Sequence, residues 1–195
     1  MPRQSDAKQK MVQAARQLIR ERGYNATALS DVLELSEAPR GSVYFHFPGG
    51  KRQLATEAVR EHAAEQVEKI DRAAAGSHSA AELVEAYLDA ARDGMVGADY
   101  GMGCGIAPLV TEGAAAESPE VGESSRQAFA AMIDRLAFHF AAFGLDPTEA
   151  AALADALVAG MEGAMITARA LHSPSPYEAL RSVLVESAKS ASLSD

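Results

Sequence analysis

Apolar residues recur at intervals of three and four along almost the whole chain, and no stretch sustains the two-residue alternation of a strand. The pattern predicts an all-α fold. A first helix is expected over about Asp6–Arg22, with Met11, Val12, Ala15, Leu18 and Ile19 as its buried stripe. Gly23 ends it and lets Tyr24 pack back, as a glycine C-cap does. Thr27 offers a hydroxyl to cap a second helix, with Leu29, Val32 and Leu33 on one side and Ser30, Asp31 and Glu34 on the other. Ser36-Glu37-Ala38-Pro39 interrupts that pattern, because a residue before proline is pushed out of the helical region. Pro39 suits the first turn of a short third helix, roughly Pro39–Phe45. After the turn Pro48-Gly49-Gly50, a long fourth helix runs from near Gly50 to about Ala75 along Leu54, Ala58, Val59, His62, Val67 and Ile70.

Ser79-Ala80-Ala81-Glu82 is a capping-box pattern that opens the next helix, expected to reach about Asp93. Gly94 to Gly105 is glycine-rich. It lacks the preceding strand that a dinucleotide-binding fingerprint needs, and it reads as a turn. A short helix is expected near Ile106–Ala116. Ser118-Pro119 then starts another, to about Phe143, with Val121, Ala128, Phe129, Met132, Ile133, Leu136 and Phe140 along one side. Asp146-Pro147-Thr148-Glu149 supplies a cap, a first-turn proline and a third-position glutamate for a helix to about Leu171. That helix is apolar nearly all round, which implies burial on more than one face. Ser175-Pro176 starts a last helix, to about Lys189. The last two helices can build a two-fold, four-helix interface between copies, or simply the core of one copy.

Charge changes this picture more than composition does. The net charge of −9 over 195 residues is unpromising for a partner of DNA until it is divided. Met1–Arg60 holds ten basic and six acidic residues, a surplus of +4, so the rest of the chain carries −13. A mildly basic head on an acidic body orients a molecule on DNA. The single cysteine, Cys104, excludes an internal disulfide and a cysteine-based zinc site. It has no histidine at a catalytic spacing, and His62, His78, His139 and His172 are scattered, so no metal site, cofactor or enzymatic constellation is expected. The opening MPRQSDAKQK has no apolar segment and no apolar run approaches a bilayer span, which together predict a cytoplasmic protein with no membrane association.

The chemistry concentrates in Thr27–Leu54. Two short helical patterns either side of a break, an aromatic cluster and a lysine at a new helix start suit a helix-turn-helix. Arg40, Gly41 and Ser42 lead its second helix, where side chains meet base edges; Arg40 has the fork that matches guanine. Val43 and Phe47 should face the core, while Tyr44 and His46 can reach phosphate oxygens. Lys51 opposes its own helix dipole, a conflict relieved when Lys51 and the helix N-terminus share a phosphate.

These residues resemble the TetR family of bacterial transcriptional regulators. Thr27, Val32, Gly41-Ser42-Val43-Tyr44-Phe45-His46-Phe47 and Lys51 follow its motif over about Asp6–Ala58. Phe47-Pro48-Gly49-Gly50-Lys51 is similar to a subset containing multidrug- and flavonoid-responsive repressors. Glu37 stands where the family usually has glycine and Pro39 where it has a capping serine, so Glu37 should hold a left-handed backbone and the interhelical angle is open. The resemblance implies a helix-turn-helix DNA-binding domain over 1–50 and a helical ligand-binding and dimerisation domain over 51–195. It also implies a homodimeric repressor that binds double-stranded DNA at a palindromic operator and is released by a small-molecule inducer. The DNA-binding residues would be Thr27, Ser30, Arg40, Gly41, Ser42, Tyr44, Phe45, His46 and Lys51. Met95, Tyr100, Met102, Cys104, Phe129, Met132, Met161 and Met165 are soft or aromatic side chains suited to a pocket for an uncharged or weakly charged, partly aromatic inducer. The competing readings are a helical scaffold or partner-binding protein whose DNA head has lost function, and a helical enzyme.

Overall fold

A computed structural model describes residues 3–39 and 41–191. Among them the chain forms ten helices and no strand. In order these are α1 (Arg3–Arg22), α2 (Leu29–Leu35), α3 (Ser42–His46), α4 (Gly50–Ala75), α5 (Ala80–Gly97), α6 (Ala107–Thr111), α7 (Ala114–Glu117), α8 (Pro119–Ala142), α9 (Pro147–Leu171) and α10 (Ser175–Ala191). Two compact units share them, one formed by Met1–Ala64 with Cys104–Ala128 and the other by Glu65–Gly103 with Phe129–Asp195.

The first unit is built on the stripe of α1. Met11, Val12, Ala15, Leu18 and Ile19 are all buried, with Val32 of α2, Val43 of α3, Phe47, and Leu54, Ala58 and Val59 of α4. Burying a side chain such as Phe47 is worth about 1.5–3 kcal/mol, so this apolar set supplies most of the unit's cohesion. Ion pairs lace its rim: Lys8 meets Glu57 at 2.7 Å, Arg16 meets Glu61 at 3.5 Å and Arg22 meets Asp31 at 2.7 Å. The segment expected as one helix over Ile106–Ala116 is two, because Gly113 adopts φ +90° and reverses the chain between α6 and α7. α7 then lies so close to α8 that a Cβ on Gly122 would stand 2.8 Å from the Ala115 carbonyl oxygen.

The second unit centres on α10, which packs against α5 and α9. Ser79 caps α5 by accepting the Glu82 N–H at 3.2 Å, as the capping-box pattern predicts, while the Glu82 carboxylate returns to the N–H of His78, one residue before the cap, at 2.8 Å. α5 overruns its expected end by four residues, since Gly94 and Gly97 are tolerated on its exposed side. Asp99 and Tyr100 then stop it with left-handed backbones, φ 48° and 56°. On α9, Asp146 caps the start by accepting the Thr148 N–H at 2.8 Å. Leu153, Ala154, Leu157, Val158, Met161, Ala164 and Ala168 form its buried face. Leu180 of α10 closes onto Gly160, where an added Cβ would meet Leu180 Cδ1 at 2.6 Å. A polar cluster joins α4 to α8: Asp71 accepts from Arg135 Nε and lies 2.8 Å from His139 Nε2. Those two partners hold its carboxyl below the usual aspartate range, Arg135 contributing most.

One sequence expectation is corrected here. By length and composition α9, with a mean hydropathy of 1.3 over its most apolar window, is comparable to a membrane-spanning helix. Its many alanines, with leucine, valine, isoleucine and methionine scattered among them, supply that hydropathy, so no long run of large apolar residues announced it.

Candidate nucleic-acid interface

The helix-turn-helix is set by backbone geometry. α2 ends at Leu35, and Ser36 N–H closes on the Val32 carbonyl at 2.9 Å. Glu37 follows at φ +55°, the left-handed conformation that glycine adopts without cost. The chain then turns through Pro39, whose carbonyl accepts both the Ser42 N–H at 2.9 Å and the Ser42 hydroxyl at 2.7 Å. α3 therefore begins at Ser42 rather than at Pro39. Arg40 lies outside the described residues.

α3 sorts its side chains sharply. Val43 is fully buried and Phe47, just past the helix, also. Tyr44 and Phe45 are each 66% exposed, two large aromatic surfaces on a five-residue helix. These rings, with open space beside the Gly41 backbone, leave an aromatic surface accessible to a partner. His46 is half-buried, its ring edge-on to Phe45 with centroids 5.0 Å apart. Phe45 and His46 line a groove of about 550 Å³ with Lys8, Gln9, Val12, Glu57 and Glu61.

Two expected site residues turn inward. Thr27 does not cap α2; Ala28 takes the N-cap position with no side-chain bond. The Thr27 hydroxyl instead donates to the Gly23 carbonyl at 2.7 Å, and the residue is only 3% exposed. The Ser42 hydroxyl is likewise committed to Pro39, with Met11 Sδ at 3.9 Å. Ser30 and Gly41 remain exposed.

Lys51 stands at the first turn of α4. The turn before it is pinned by the Gly50 N–H on the Phe47 carbonyl at 2.8 Å and by Gln53, which reaches back to the Gly49 N–H at 2.9 Å. Lys51 Nζ lies 4.3 Å from the Tyr24 ring centroid and donates to the Asn25 carbonyl at 3.3 Å. Partial burial lowers its proton affinity, and the Glu112 carboxylate acts in the opposite sense. Sequence reading missed Tyr24, Asn25 and Glu112 as partners of this site. No sequence signal marks them, since Glu112 is 87 residues from Asn25.

The expected inducer-contacting residues come from several elements. Met95 of α5, Met132 of α8 and Met161 of α9 are buried, while Met102, Phe129 and Met165 are half-buried. Tyr100 stacks on His172, centroids 4.4 Å apart. All seven belong to the second unit; buried Cys104 belongs to the first, where its Sγ accepts the Ile106 N–H at 3.3 Å.

A strained turn that presents a short aromatic helix from a small three-helix core defines a DNA-binding regulator of the helix-turn-helix type. The N-terminal model of bacterial regulatory proteins of the TetR family matches residues 11–58, and that of the LmrA/YxaF-like transcriptional regulator C-terminal domain matches residues 80–183. An uncharacterized HTH-type transcriptional regulator of Mycobacterium tuberculosis is 38% identical over 175 residues, 88% of each chain. The HTH-type transcriptional regulator LmrA of Bacillus subtilis is 41% identical over 83 residues, 43% of this chain and 44% of its own. A TetR regulator from Legionella pneumophila shares the fold at TM-score 0.82, with 20% identity over 93% of this chain and 96% of that one. Another from Rhodobacter sphaeroides does so at TM-score 0.80, with 22% identity over 93% and 98%. The chain belongs to the TetR family of transcriptional regulators. It is a ligand-responsive, DNA-binding regulator of transcription.

Proposed function

We propose that the protein is a cytoplasmic repressor that holds a palindromic operator as a homodimer and releases it when a small hydrophobic or aromatic inducer binds. Residues 1–50 would serve as the DNA head and 51–195 as the ligand-binding and dimerisation body. The exposure of Tyr44 and Phe45 on α3, with the Tyr44 ring close to Gly50 at the start of α4, is the observation that carries this reading. Tyr44, Phe45 and the exposed backbone at Gly41 would enter the major groove with Arg40. Ser30, His46 and Lys51 would meet phosphates and set the register. Thr27 and Ser42 would act by holding the frame. Release on inducer binding is a population shift, and requires that the inducer prefer the DNA-free arrangement.

Dimerisation draws support from α9 and α10. The outward side of α9 carries Ala152, Ala156, Ala159, Gly163 and Ile166, and α10 presents Val183. Small residues allow helices to approach closely, and Ile166 and Val183 are large apolar groups left 65% and 68% exposed. For the inducer, the methionines on α5, α8 and α9 supply adaptable apolar walls.

Selection of duplexes from a random pool by the full-length protein tests the proposal. Enrichment of a two-fold-symmetric sequence with half-sites about one helical turn apart is expected. Exchanging Lys51 for alanine should weaken all duplexes alike, and exchanging Arg40 should relax sequence choice. No enrichment at low ionic strength would overturn it.

A further inference from the structure

The turn between α1 and α2 is gripped from outside the head. Glu112, at the C-cap of α6, accepts the Asn25 N–H at 2.6 Å. Asn25 Nδ2 in turn donates to the Glu112 carbonyl at 3.3 Å, so the two residues are joined twice. The Glu112 carboxylate also lies against Gly23, where an added Cβ would fall 2.2 Å from Oε1. Gly23, at φ +89°, is held to glycine by its backbone conformation, and the Glu112 carboxylate packs directly over it. On its other side the same turn holds Lys51, through the Asn25 carbonyl and the Tyr24 ring.

We propose that Glu112 is a positioning residue for DNA binding: by holding Asn25 through its backbone N–H and its side-chain amide, it fixes the Asn25 carbonyl and the adjoining Tyr24 ring that aim the Lys51 ammonium at the phosphate backbone. The proposal rests on the reading of Lys51 as a phosphate contact. It places a determinant of DNA affinity in the segment matched by the C-terminal family model, whereas Tyr24, Asn25 and Lys51 lie in the N-terminal match. The sign of the effect is not obvious, because a carboxylate beside a phosphate-binding lysine also repels DNA. Two substitutions separate these contributions. Glu112→Gln keeps an acceptor for the Asn25 N–H and removes the charge; Glu112→Ala removes both.

The experiment measures binding of the full-length protein to a pool-selected duplex and to a random-sequence duplex across a range of salt concentrations. Losing one phosphate contact lowers the slope of log affinity against log salt by about 0.9 per bound subunit, or about five- to eight-fold in affinity near 0.1–0.15 M salt. Lys51→Ala should show that loss on both duplexes. Glu112→Ala should show most of it, Glu112→Gln should bind no more weakly than the parent, and Glu112→Ala should add nothing in a Lys51→Ala background. A merely structural role would lower the melting temperature and leave the salt slope unchanged. An unaffected Lys51→Ala would overturn the phosphate reading itself. A weakened Lys51→Ala with a parental slope in Glu112→Ala, with additive losses, or with Glu112→Gln falling as far as Glu112→Ala, would overturn the positioning role alone.

Discussion

Glu37 shows how a single residue can carry a functional turn at some expense to folding. Its backbone is left-handed, its side chain is exposed, and its N–H closes on the Glu34 carbonyl at 3.2 Å. A β-carbon in that conformation costs on the order of 1 kcal/mol or more. Glu37→Gly should therefore raise stability by about 1 kcal/mol, read as a higher melting temperature, with DNA affinity unchanged. The position was legible in advance because the break before Pro39 and the family pattern both demanded a reversal there. The hydroxyls of Thr27 and Ser42 were not. A serine or threonine near a helix start can cap, donate backwards or face a ligand, and only the surrounding backbone decides among them. Here the Gly23 and Pro39 carbonyls lie within reach, and the Thr27 and Ser42 hydroxyls donate to them.

At the scale of elements, legibility followed the strength of the end signals. α4 matched its expected span because Gly50 and Gly76 bracket a long periodic stretch, and α9 did so because Asp146 and Pro147 mark its start. The bounds of α5 and of α6 with α7 were misjudged for one reason: a glycine either continues a helix or reverses it, depending on φ. Gly94 continues α5, while Gly113 splits α6 from α7. Long-range pairings between elements left no local trace. The Asp71–Arg135–His139 cluster joins residues 64 and 68 positions apart. It makes a pH prediction with a definite sign. Because the folded state holds the Asp71 carboxyl below its ordinary value, the cluster stabilises above that ordinary value, near pH 4. The contribution fades as pH falls through the lower, folded-state value. Asp71→Asn should thus melt at a lower temperature than the parent at neutral pH, and the two melting curves should converge in acid. A difference that persists undiminished at low pH would show that packing, not charge, is what the substitution removes. Tyr177 of α10 governs the opposite limb. Burial, with a smaller contribution from Glu162, pushes its phenol up to about 12. The neutral ring stabilises the fold below about pH 10 and that contribution is lost as pH rises toward its folded value, so Tyr177→Phe should flatten the alkaline decline.

For the whole molecule, the question is how an N-terminal region whose first sixty residues carry a surplus of only four positive charges selects a site on DNA. One such head would make few phosphate contacts, and a five-residue helix would read few bases. Two heads joined rigidly convert the second contact into an intramolecular event, which multiplies affinity by about 10²–10⁴ without any new interaction. The proposed α9–α10 face is thus as much a determinant of DNA binding as α3. Ile166 and Val183 test this cleanly, because each is exposed within its own chain and its loss leaves the core of that chain intact. Exchanging both for aspartate would place charges in a face that needs to bury about 1,200–2,000 Å² in total to form a stable pair. Sedimentation should then report a monomer, the melting curve should keep its cooperativity, and affinity for the symmetric duplex should fall about a hundredfold or more. Binding to a half-site duplex should not change, since α3 and Lys51 are untouched. A parent protein that is already monomeric, or a doubly substituted one that still sediments as a dimer, would move the subunit interface elsewhere and remove α9 and α10 from the account of operator recognition.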